Sequence, residues 1–265
     1  MRDRSWTDAI KSIWSRTRAA FLLLTGDPLV LDRWLWLRRH LPRQPGRILD
    51  AGAGNGWFAI NSAMRGHDVL GLGLEGADMR RAAIRATHLG VPAQFEVQDL
   101  RDLEYRGDLR DNFDCVVCTE TIEHIIDDLR VVNALGGALH QDGILLVTVP
   151  NSQYRPMDRG DAGPWYPVED GRHVRKGYTE DELISLLERS GLETVAVGYC
   201  SGWASQRCTW LLRRLTDRLG YRVAWLITLP LRVLPPVLDP MIGRISNYPS
   251  YSLCIQGRKV RRQPC

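Results

Sequence analysis

Two carboxylates and an imidazole stand close together in the run Thr-Glu-Thr-Ile-Glu-His at residues 119–124. They are Glu120, Glu123 and His124, and a second imidazole, His173, follows further along the chain. If the fold brings these four side chains together, their oxygen and nitrogen atoms suit Mg²⁺, Mn²⁺ or Zn²⁺. A bound metal would hold a substrate hydroxyl and lower its pKa, which prepares the oxygen for attack.

The same residues also allow an interpretation without a metal. Glu123 would be stabilised by the helix dipole if a helix begins there. His124 could act as a general base by itself, and His173 is a second candidate for that role. Both interpretations, a metal site and a metal-free acid–base site, remain open from the sequence alone.

A second functional pattern is the run Arg-Ile-Leu-Asp-Ala-Gly-Ala-Gly-Asn-Gly at residues 47–56. Glycines at a strand-to-helix turn let a ligand lie against bare backbone, although an ordinary tight turn is the alternative. Asp50 can bind the amides of the turn or face a cationic ligand. The third glycine comes one residue earlier than in the nicotinamide fingerprint G-x-G-x-x-G, so the pattern disfavours a nicotinamide cofactor.

Strands and helices are predicted to alternate after residue 47. The predicted strands are 47–51, 67–74, 93–98, 113–119, 143–149, 192–199 and 251–257, and the predicted helices are 1–24, 29–40, 57–65, 77–89, 127–139 and 179–191. The strand at 143–149 is apolar nearly throughout, which is typical of a strand buried on both faces of a parallel sheet. In such an α/β sheet, ligands bind at the carboxyl ends of the strands.

Over about residues 45–200, the chain resembles the class I methyltransferases that use S-adenosylmethionine. The resemblance is carried by the glycine run, by the Glu-x-x-Glu-His spacing of Glu120, Glu123 and His124, and by His173 before the sixth helix. This pattern is similar to that of ubiquinone-biosynthesis O-methyltransferases, and small-RNA 3′-end 2′-O-methyltransferases resemble it too. The resemblance implies a Rossmann-like seven-stranded sheet with helices on both faces, S-adenosyl-L-methionine as cofactor, and Mg²⁺ or another divalent cation.

The resemblance also implies individual cofactor contacts. These are Asp50, Gly52, Ala53, Gly54, Glu75, Asp99, Leu100 and Thr119. Family members usually carry an acid for the ribose hydroxyls where this chain has Gly73, so we expect Glu75, on the same strand face, to replace it. Asp99 is expected to accept a hydrogen bond from the adenine amino group while Leu100 packs on the ring. The implied catalytic residues are His124, Glu123 and His173.

Three units are predicted along the chain. Residues 1–44 form an N-terminal helical cap, residues 45–200 with 251–260 form the cofactor domain, and residues 201–250 form a helical insertion before the last strand. The insertion interleaves tryptophans and leucines with arginines. It is either a lid packed on the domain or an interfacial surface that reaches a lipid-like acceptor. Residues 1–24 allow similar alternatives, a cap or a basic amphipathic helix.

Composition limits the compartment and the partners. The net charge of +4 is mild and the basic residues are dispersed, so we do not expect a nucleic-acid partner. No signal peptide is predicted at the start of the chain. Cys115 and Cys118 are three residues apart on a predicted strand and point to opposite faces, so we expect buried free thiols, in keeping with a reducing cytoplasm.

These patterns predict an S-adenosylmethionine-dependent methyltransferase that acts on a hydroxyl of a small-molecule, lipid-like or glycan acceptor, with or without a metal. The alternative enzyme is an N- or C-methyltransferase without a metal. The alternative outside enzymes is a cofactor-binding pseudo-enzyme that serves as an interaction module. The expected location is cytoplasmic, with peripheral membrane contact through residues 201–250 if the acceptor is lipid-like.

Overall fold

Seven strands form one mixed sheet in the computed structural model, which describes residues 27–158 and 160–260. The strands are β1 (Arg47–Ala51), β2 (Asp68–Gly73), β3 (Ala93–Val97), β4 (Phe113–Thr119), β5 (Leu139–Pro150), β6 (Leu192–Cys200) and β7 (Ser252–Lys259). Their order is β3-β2-β1-β4-β5-β7-β6, and β7 runs antiparallel to both of its neighbours. The predicted α/β Rossmann-like fold is confirmed, whereas the helix predicted over 1–24 lies outside the described residues.

Helices cover both faces of this sheet. They are α1 (Pro28–His40), α2 (Trp57–Ala63), α3 (Gly76–Leu89), α4 (Asp128–Ala138) and α5 (Glu180–Arg189). Asp27 caps α1, and Thr179 with Glu182 forms a capping box at the beginning of α5. Because side chains alternate along a strand, Ile48 of β1 packs with α1 and α2, and Leu49 packs with α4 and α5.

The two central cysteines divide between the same two cores. Cys115 belongs to the core with α1 and α2, and Cys118 belongs to the core with α4 and α5. Both thiols are free and buried, and burial raises the pKa of each. The prediction of buried free thiols on opposite faces is therefore confirmed.

One predicted boundary differs from the structure. The sequence pattern predicts a helix to residue 139 and a strand from 143, but β5 already pairs with β4 at Leu139, opposite Phe113. The ladder then shifts register before Ile144, and Asp142 adopts a φ of 65° in the intervening turn. Such an irregularity interrupts the apolar pattern without ending the strand.

Helices also fill the connection between β6 and β7. They are α6 (Trp203–Leu219), α7 (Tyr221–Thr228), a 3₁₀-helix (Leu229–Val233) and α8 (Pro235–Ser246). α6 packs on α1, where the Ser205 hydroxyl donates a hydrogen bond to the buried Asp32. Burial raises the pKa of Asp32 to about 7. These contacts attach the insertion to the cofactor domain.

The lengths of these helices bear on membrane contact. No single helix among the described residues is long and apolar enough to cross a membrane. Only two successive stretches taken together, Tyr221–Arg232 and Pro235–Ser246, have the required length and composition, and they are bent by 63°.

Candidate active site

The glycine run forms the turn between β1 and α2. Gly52 and Gly54 have φ values of 86° and 50°, in the region that side-chain-bearing residues rarely adopt. A Cβ atom at Gly52 would lie 2.2 Å from Thr121 Oγ1, whereas a Cβ atom at Gly54 would meet nothing closer than 4.0 Å. Gly52 thus lets the turn pack against the loop after β4, and Gly54 leaves its backbone open to a ligand.

Asp50 lies at the base of this turn and is 1% exposed. Neither of its carboxylate oxygens has a hydrogen-bond partner among the described residues. Burial raises the pKa of Asp50 to about 7. A buried carboxylate without a partner is unfavourable, so this position favours a ligand that brings positive charge or a hydrogen-bond donor.

A cleft of about 550 Å³ opens beside the turn, at the carboxyl ends of the parallel strands. The predicted site residues that line it are Gly52, Gly54, Glu75, Asp99, Leu100, Glu120 and His124. The predicted contacts Ala53 and Thr119 instead line a smaller cavity of about 300 Å³, which shares Gly52 and Gly54 with the cleft. The structure therefore gathers the predicted cofactor contacts around one turn.

At the end of β2, the Met79 side chain packs over Gly73, where family members usually carry an acid. A Cβ atom at Gly73 would lie 2.5 Å from Met79 Cε, and Met79 is buried. Glu75 lines the cleft nearby, as does Asp78, which the sequence patterns did not single out. Two carboxylates thus border the cleft at the end of β2.

Asp99 is held by an ion pair that reaches across the cleft. It caps the following 3₁₀-helix and accepts hydrogen bonds from the backbone and side chain of Arg101, which lower the pKa of Asp99. Arg101 Nη1 also lies 2.5 Å from Glu169 Oε2. Glu169 in turn accepts the Ile126 N–H at 2.7 Å. This chain of contacts fixes the loop after β5 at the rim of the cleft.

Three of the four predicted metal ligands converge. Glu123, His124 and His173 each offer a ligand atom within 4.8 Å of the others. The rings of His124 and His173 are perpendicular with centroids 4.5 Å apart, and His173 Nε2 lies 4.0 Å from Glu123 Oε1. The donor set of one carboxylate and two imidazoles suits a divalent transition metal.

Glu123 and His173 are both perturbed by burial. Glu123 is completely buried, and its carboxylate has no hydrogen-bond partner among the described residues. Burial, together with the nearby Glu120 carboxylate, raises the pKa of Glu123 well above its usual value. Burial and the His124 ring lower the pKa of His173 to about 4, which keeps His173 neutral at physiological pH.

Glu120, the fourth predicted ligand, is not in this group of three. Glu120 Oε2 lies 3.2 Å from Arg33 Nη2 of α1, and Glu120 Oε1 accepts hydrogen bonds from the hydroxyls of Thr148 and Ser252. The physical reason is that Arg33 is itself buried, so its charge requires a carboxylate partner. Glu120 therefore serves α1 rather than the imidazoles.

A second cavity of about 560 Å³ lies on the other side of His124. Its walls combine aromatic and charged side chains from the loop after β5, from the residue just before β7 and from α6, and they include His173, Tyr154, Trp165, Asp161, Tyr251 and Arg213. The Trp165 ring stacks on His173 at 5.9 Å. His124 and Gly171 line both this cavity and the cleft, so the two spaces meet at the imidazole group.

The sequence pattern of the family described as "Methyltransferase domain" matches residues 30–197, which is more than half of the chain. The chain belongs to the S-adenosylmethionine-dependent methyltransferases. The match covers α1, the glycine turn, the imidazole group and most of β6. The insertion and β7 of this methyltransferase lie beyond it.

Several similar proteins are named ubiquinone biosynthesis O-methyltransferase. The one from Chromobacterium violaceum is 30% identical over 180 residues, which are 65% of this chain and 75% of that protein. The one from Dinoroseobacter shibae is 31% identical over 153 residues, 56% of this chain and 60% of that protein. The methyltransferase described here thus spans only part of the length of these relatives.

Solved structures share the fold of this methyltransferase. An S-adenosylmethionine-dependent methyltransferase from Mesorhizobium loti has a TM-score of 0.56 and 22% identity, covering 89% of this chain and 99% of its own. The cyclase SpnF has a TM-score of 0.58 and 20% identity, and the match covers 88% of this chain and 82% of the cyclase. At these identities the likeness concerns the fold alone.

Besides Asp78, sequence reasoning missed three residues that hold the methyltransferase site together: Arg33, Arg101 and Glu169. A signal existed for Arg33, since it shares a helix face with the apolar residues Leu29 and Leu37. A charge at such a position indicates a buried partner. No comparable signal marks the other two, because their pairing joins distant parts of the chain.

Proposed function

We propose that this methyltransferase methylates a hydroxyl group on a small-molecule or lipid-like acceptor. The observation that carries the proposal is the position of His124, which lines both the cleft and the second cavity. An acceptor bound in the second cavity would present a hydroxyl at this shared wall. Holding the two reacting groups side by side supplies much of the rate of a displacement reaction.

The residues around the glycine turn fit S-adenosyl-L-methionine. When bound, this cofactor supplies a methyl group on a positively charged sulfur. The open backbone at Gly54 lets a ligand approach closely, Gly52 and Ala53 line the adjoining cavity, and the partnerless carboxylate of Asp50 favours nearby positive charge. Thr119 lines the adjoining cavity and would contact the same ligand.

The far end of the cleft would hold the nucleoside part. Glu75, exposed at the end of β2, is proposed to accept hydrogen bonds from the ribose hydroxyls. Asp99 is proposed to accept one from the adenine amino group while Leu100 packs on the ring. Three N–H groups of Arg101 already bind the Asp99 carboxylate, and since a carboxylate has about four acceptor sites, one is left for the adenine amino group.

We propose that Glu123, His124 and His173 hold a divalent cation, Mg²⁺ or a transition metal. The buried, partnerless carboxylate of Glu123 supports this assignment, since a cation would compensate it and would favour its ionised form. A cation held there lowers the pKa of a coordinated hydroxyl. Without one, His124 is the proposed general base, and the neutral His173 ring packs perpendicular to it.

The cofactor assignment is tested by titrating the full chain with S-adenosylmethionine in a calorimeter. We expect saturable binding that Gly54→Val weakens at least tenfold, because φ 50° disfavours a β-branched residue. Gly107→Val is the matched control, since a Cβ atom there meets nothing within 4 Å and φ is not positive. Absence of binding heat in the wild type would favour the pseudo-enzyme.

The metal assignment is tested by methyl transfer from labelled cofactor to a panel of phenols and alcohols, with and without a chelator. Loss of activity in chelator and recovery with Mg²⁺ or Mn²⁺ is expected. Unchanged activity in chelator would leave His124 as a metal-free base. Labelling of amines or carbon acids in place of hydroxyls would favour the N- or C-methyltransferase.

We further propose that residues 201–250 make peripheral contact with a membrane, and that the protein works in the cytoplasm. The exposed apolar side chains of the insertion support membrane contact. Nucleic acid is not the proposed partner, since the mild net charge of +4 gives little attraction to phosphates.

A further inference from the structure

One face of α8 is apolar and points away from the protein. It consists of five residues at the i, i+3, i+4, i+7 and i+11 spacing of a helix face: Leu234, Val237, Leu238, Met241 and Ile245. All five are exposed, with Val237 at 64% and Ile245 at 86%. Among the described side chains of α8, only Pro235 is buried.

The side of α8 that faces the protein carries one acid, Asp239, beside the buried Pro235. Asp239 accepts hydrogen bonds from the backbone N–H groups of Ala204 and Ser205, at 2.6 and 3.2 Å, at the beginning of α6. A surface helix in water normally buries its apolar face and exposes its polar one. The exposure of five large apolar side chains on one face indicates that this face of α8 meets something other than water.

α7 repeats this arrangement. Its exposed apolar residues are Val223, Leu226 and Ile227, and Leu226 is 67% exposed. Its inner side is formed by the buried residues Ala224 and Thr228. Two successive helices therefore turn large apolar side chains outward.

The charges near these faces have one sign. Residues 218–246 contain four arginines, of which Arg232 is buried, and a single acid, Asp239, which is directed at α6. Arg222 of α7 and Arg244 of α8 are exposed, and each adjoins an outward apolar residue in the sequence. A positively charged margin around an apolar face complements an anionic surface.

We propose that the outward faces of α7 and α8 dock on an anionic lipid bilayer. The apolar side chains would enter the boundary between headgroups and acyl chains while the arginines bind acidic headgroups. No single described helix there is long and apolar enough to span the bilayer, and the two stretches that together reach the required length are bent by 63°, so we place the attachment in the interfacial plane. The inference deepens the proposed function by naming the membrane partner of the insertion.

The inner side of the same helices reaches the cofactor site. Tyr221 and Trp225 of α7 line the 300 Å³ cavity together with Gly54 and Thr119 of the active site. Docking through the outer side of α7 therefore places this cavity close to the lipid. The docking itself does not depend on the proposed hydroxyl methylation. The entry of a lipid-like acceptor from the bilayer does rest on that proposed function.

The test is co-sedimentation of the full chain with vesicles of phosphatidylglycerol and phosphatidylcholine in equal parts, and with phosphatidylcholine alone. We expect binding to the anionic vesicles only. Met241→Asp with Ile245→Asp should reduce it by about tenfold or more, since charge replaces inserted apolar surface. Arg222→Ser with Arg244→Ser should reduce it about twentyfold at low salt, and binding should weaken as salt rises.

Ile84→Asp on α3 is the matched control, because Ile84 is 56% exposed and Met241 is 58% exposed. This control should bind vesicles like the wild type. S-adenosylmethionine titration of every variant separates the two proposals, since a docking variant that still binds cofactor is folded. Deleting residues 1–26 tests the other basic amphipathic segment, and binding should persist in that variant.

Three results would overturn the inference. The first is that the wild type does not bind anionic vesicles. The second is that Ile84→Asp and the α8 variant lose vesicle binding equally. The third is that deleting residues 1–26 abolishes vesicle binding while the α8 variant binds like the wild type. A dimer in sedimentation velocity that Met241→Asp with Ile245→Asp dissociates, without vesicle binding, would assign the face to a second copy of the chain.

Discussion

The two sides of the active site are built in different ways. The cofactor side is a turn of consecutive residues, 50–56, whose shape follows from backbone angles and from one close approach to Thr121. The acceptor side combines Glu123 and His124 after β4 with His173 from the loop after β5. The first side is a local property of the chain, and the second exists only when distant segments pack together.

The contrast also appears in the buried carboxylates. Asp50 on the cofactor side and Glu123 on the acceptor side both lack hydrogen-bond partners among the described residues, while Glu120 between them is paired with Arg33. Burial raises the pKa of Asp50 and of Glu123. Protein contacts thus pair the Glu120 carboxylate, which supports α1. They leave the carboxylates of Asp50 and Glu123 available to the proposed ligands.

Breaking the cofactor side should have the largest effect. Gly52→Val forces a β-branched residue to φ 86° and places its Cβ atom 2.2 Å from Thr121 Oγ1. We expect loss of S-adenosylmethionine binding and a decrease of about 4 kcal/mol in the free energy of unfolding. Calorimetric titration and urea unfolding measure both. Gly137→Val, with no atom within 4 Å of its Cβ, should retain cofactor binding.

Breaking the Arg33–Glu120 pair between the two sides should be nearly as severe. Arg33→Met leaves the Glu120 carboxylate buried without its ion pair, so we expect a loss of about 3 kcal/mol in unfolding free energy. Adding Glu120→Gln should restore part of that loss in urea unfolding. Arg39→Met, at an exposed position of the same helix, is the control. A double variant no more stable than Arg33→Met would contradict the pairing.

The pH dependence of stability should sharpen the comparison at Asp50. Its pKa is raised from 3.8 to about 7 on folding, so the unfolded chain loses this proton first and stability falls as pH rises through that window. Asp50→Asn should therefore gain about 2 kcal/mol over the wild type between about pH 5 and pH 8. Urea unfolding of both proteins at the two pH values measures the gain. If the unfolding free energies of the wild type and Asp50→Asn change in parallel with pH, the prediction is refuted.

The Asp50→Asn variant should at the same time bind S-adenosylmethionine more weakly. Replacing the carboxylate removes the negative charge proposed to favour the cationic ligand. Asp68→Asn, at the exposed beginning of β2, should change neither property. Undiminished cofactor affinity in Asp50→Asn would show that this carboxylate serves the fold alone.

The smallest effect is expected where the two sides are joined. Arg101→Met removes the link between Asp99 on the cofactor side and Glu169 on the acceptor loop. Because Arg101 is partly exposed, we expect only about threefold weaker cofactor binding in the calorimeter. Arg106→Met removes comparable ion pairs on the same segment and should leave the affinity unchanged. An equal effect of both variants would argue against a specific link.

The sequence by itself determined the parts of this protein that depend on local geometry. The alternation of strands and helices, the glycine turn, the opposite faces of Cys115 and Cys118, and the extent of α1 follow from periodicity, backbone angles and capping residues. Each of these signals lies within a few consecutive residues. Such signals predict the same local structure whichever tertiary contacts the rest of the chain makes.

Only the tertiary structure decided how side chains from distant segments are shared. It paired Glu120 with Arg33, packed Met79 over Gly73, and placed His173 next to Glu123 and His124. It also turned the apolar face of α8 outward, where helical periodicity alone would have buried it. The physical reason is that burial and charge pairing are settled by the sum of contacts around each side chain, and neighbours in sequence supply few of those contacts.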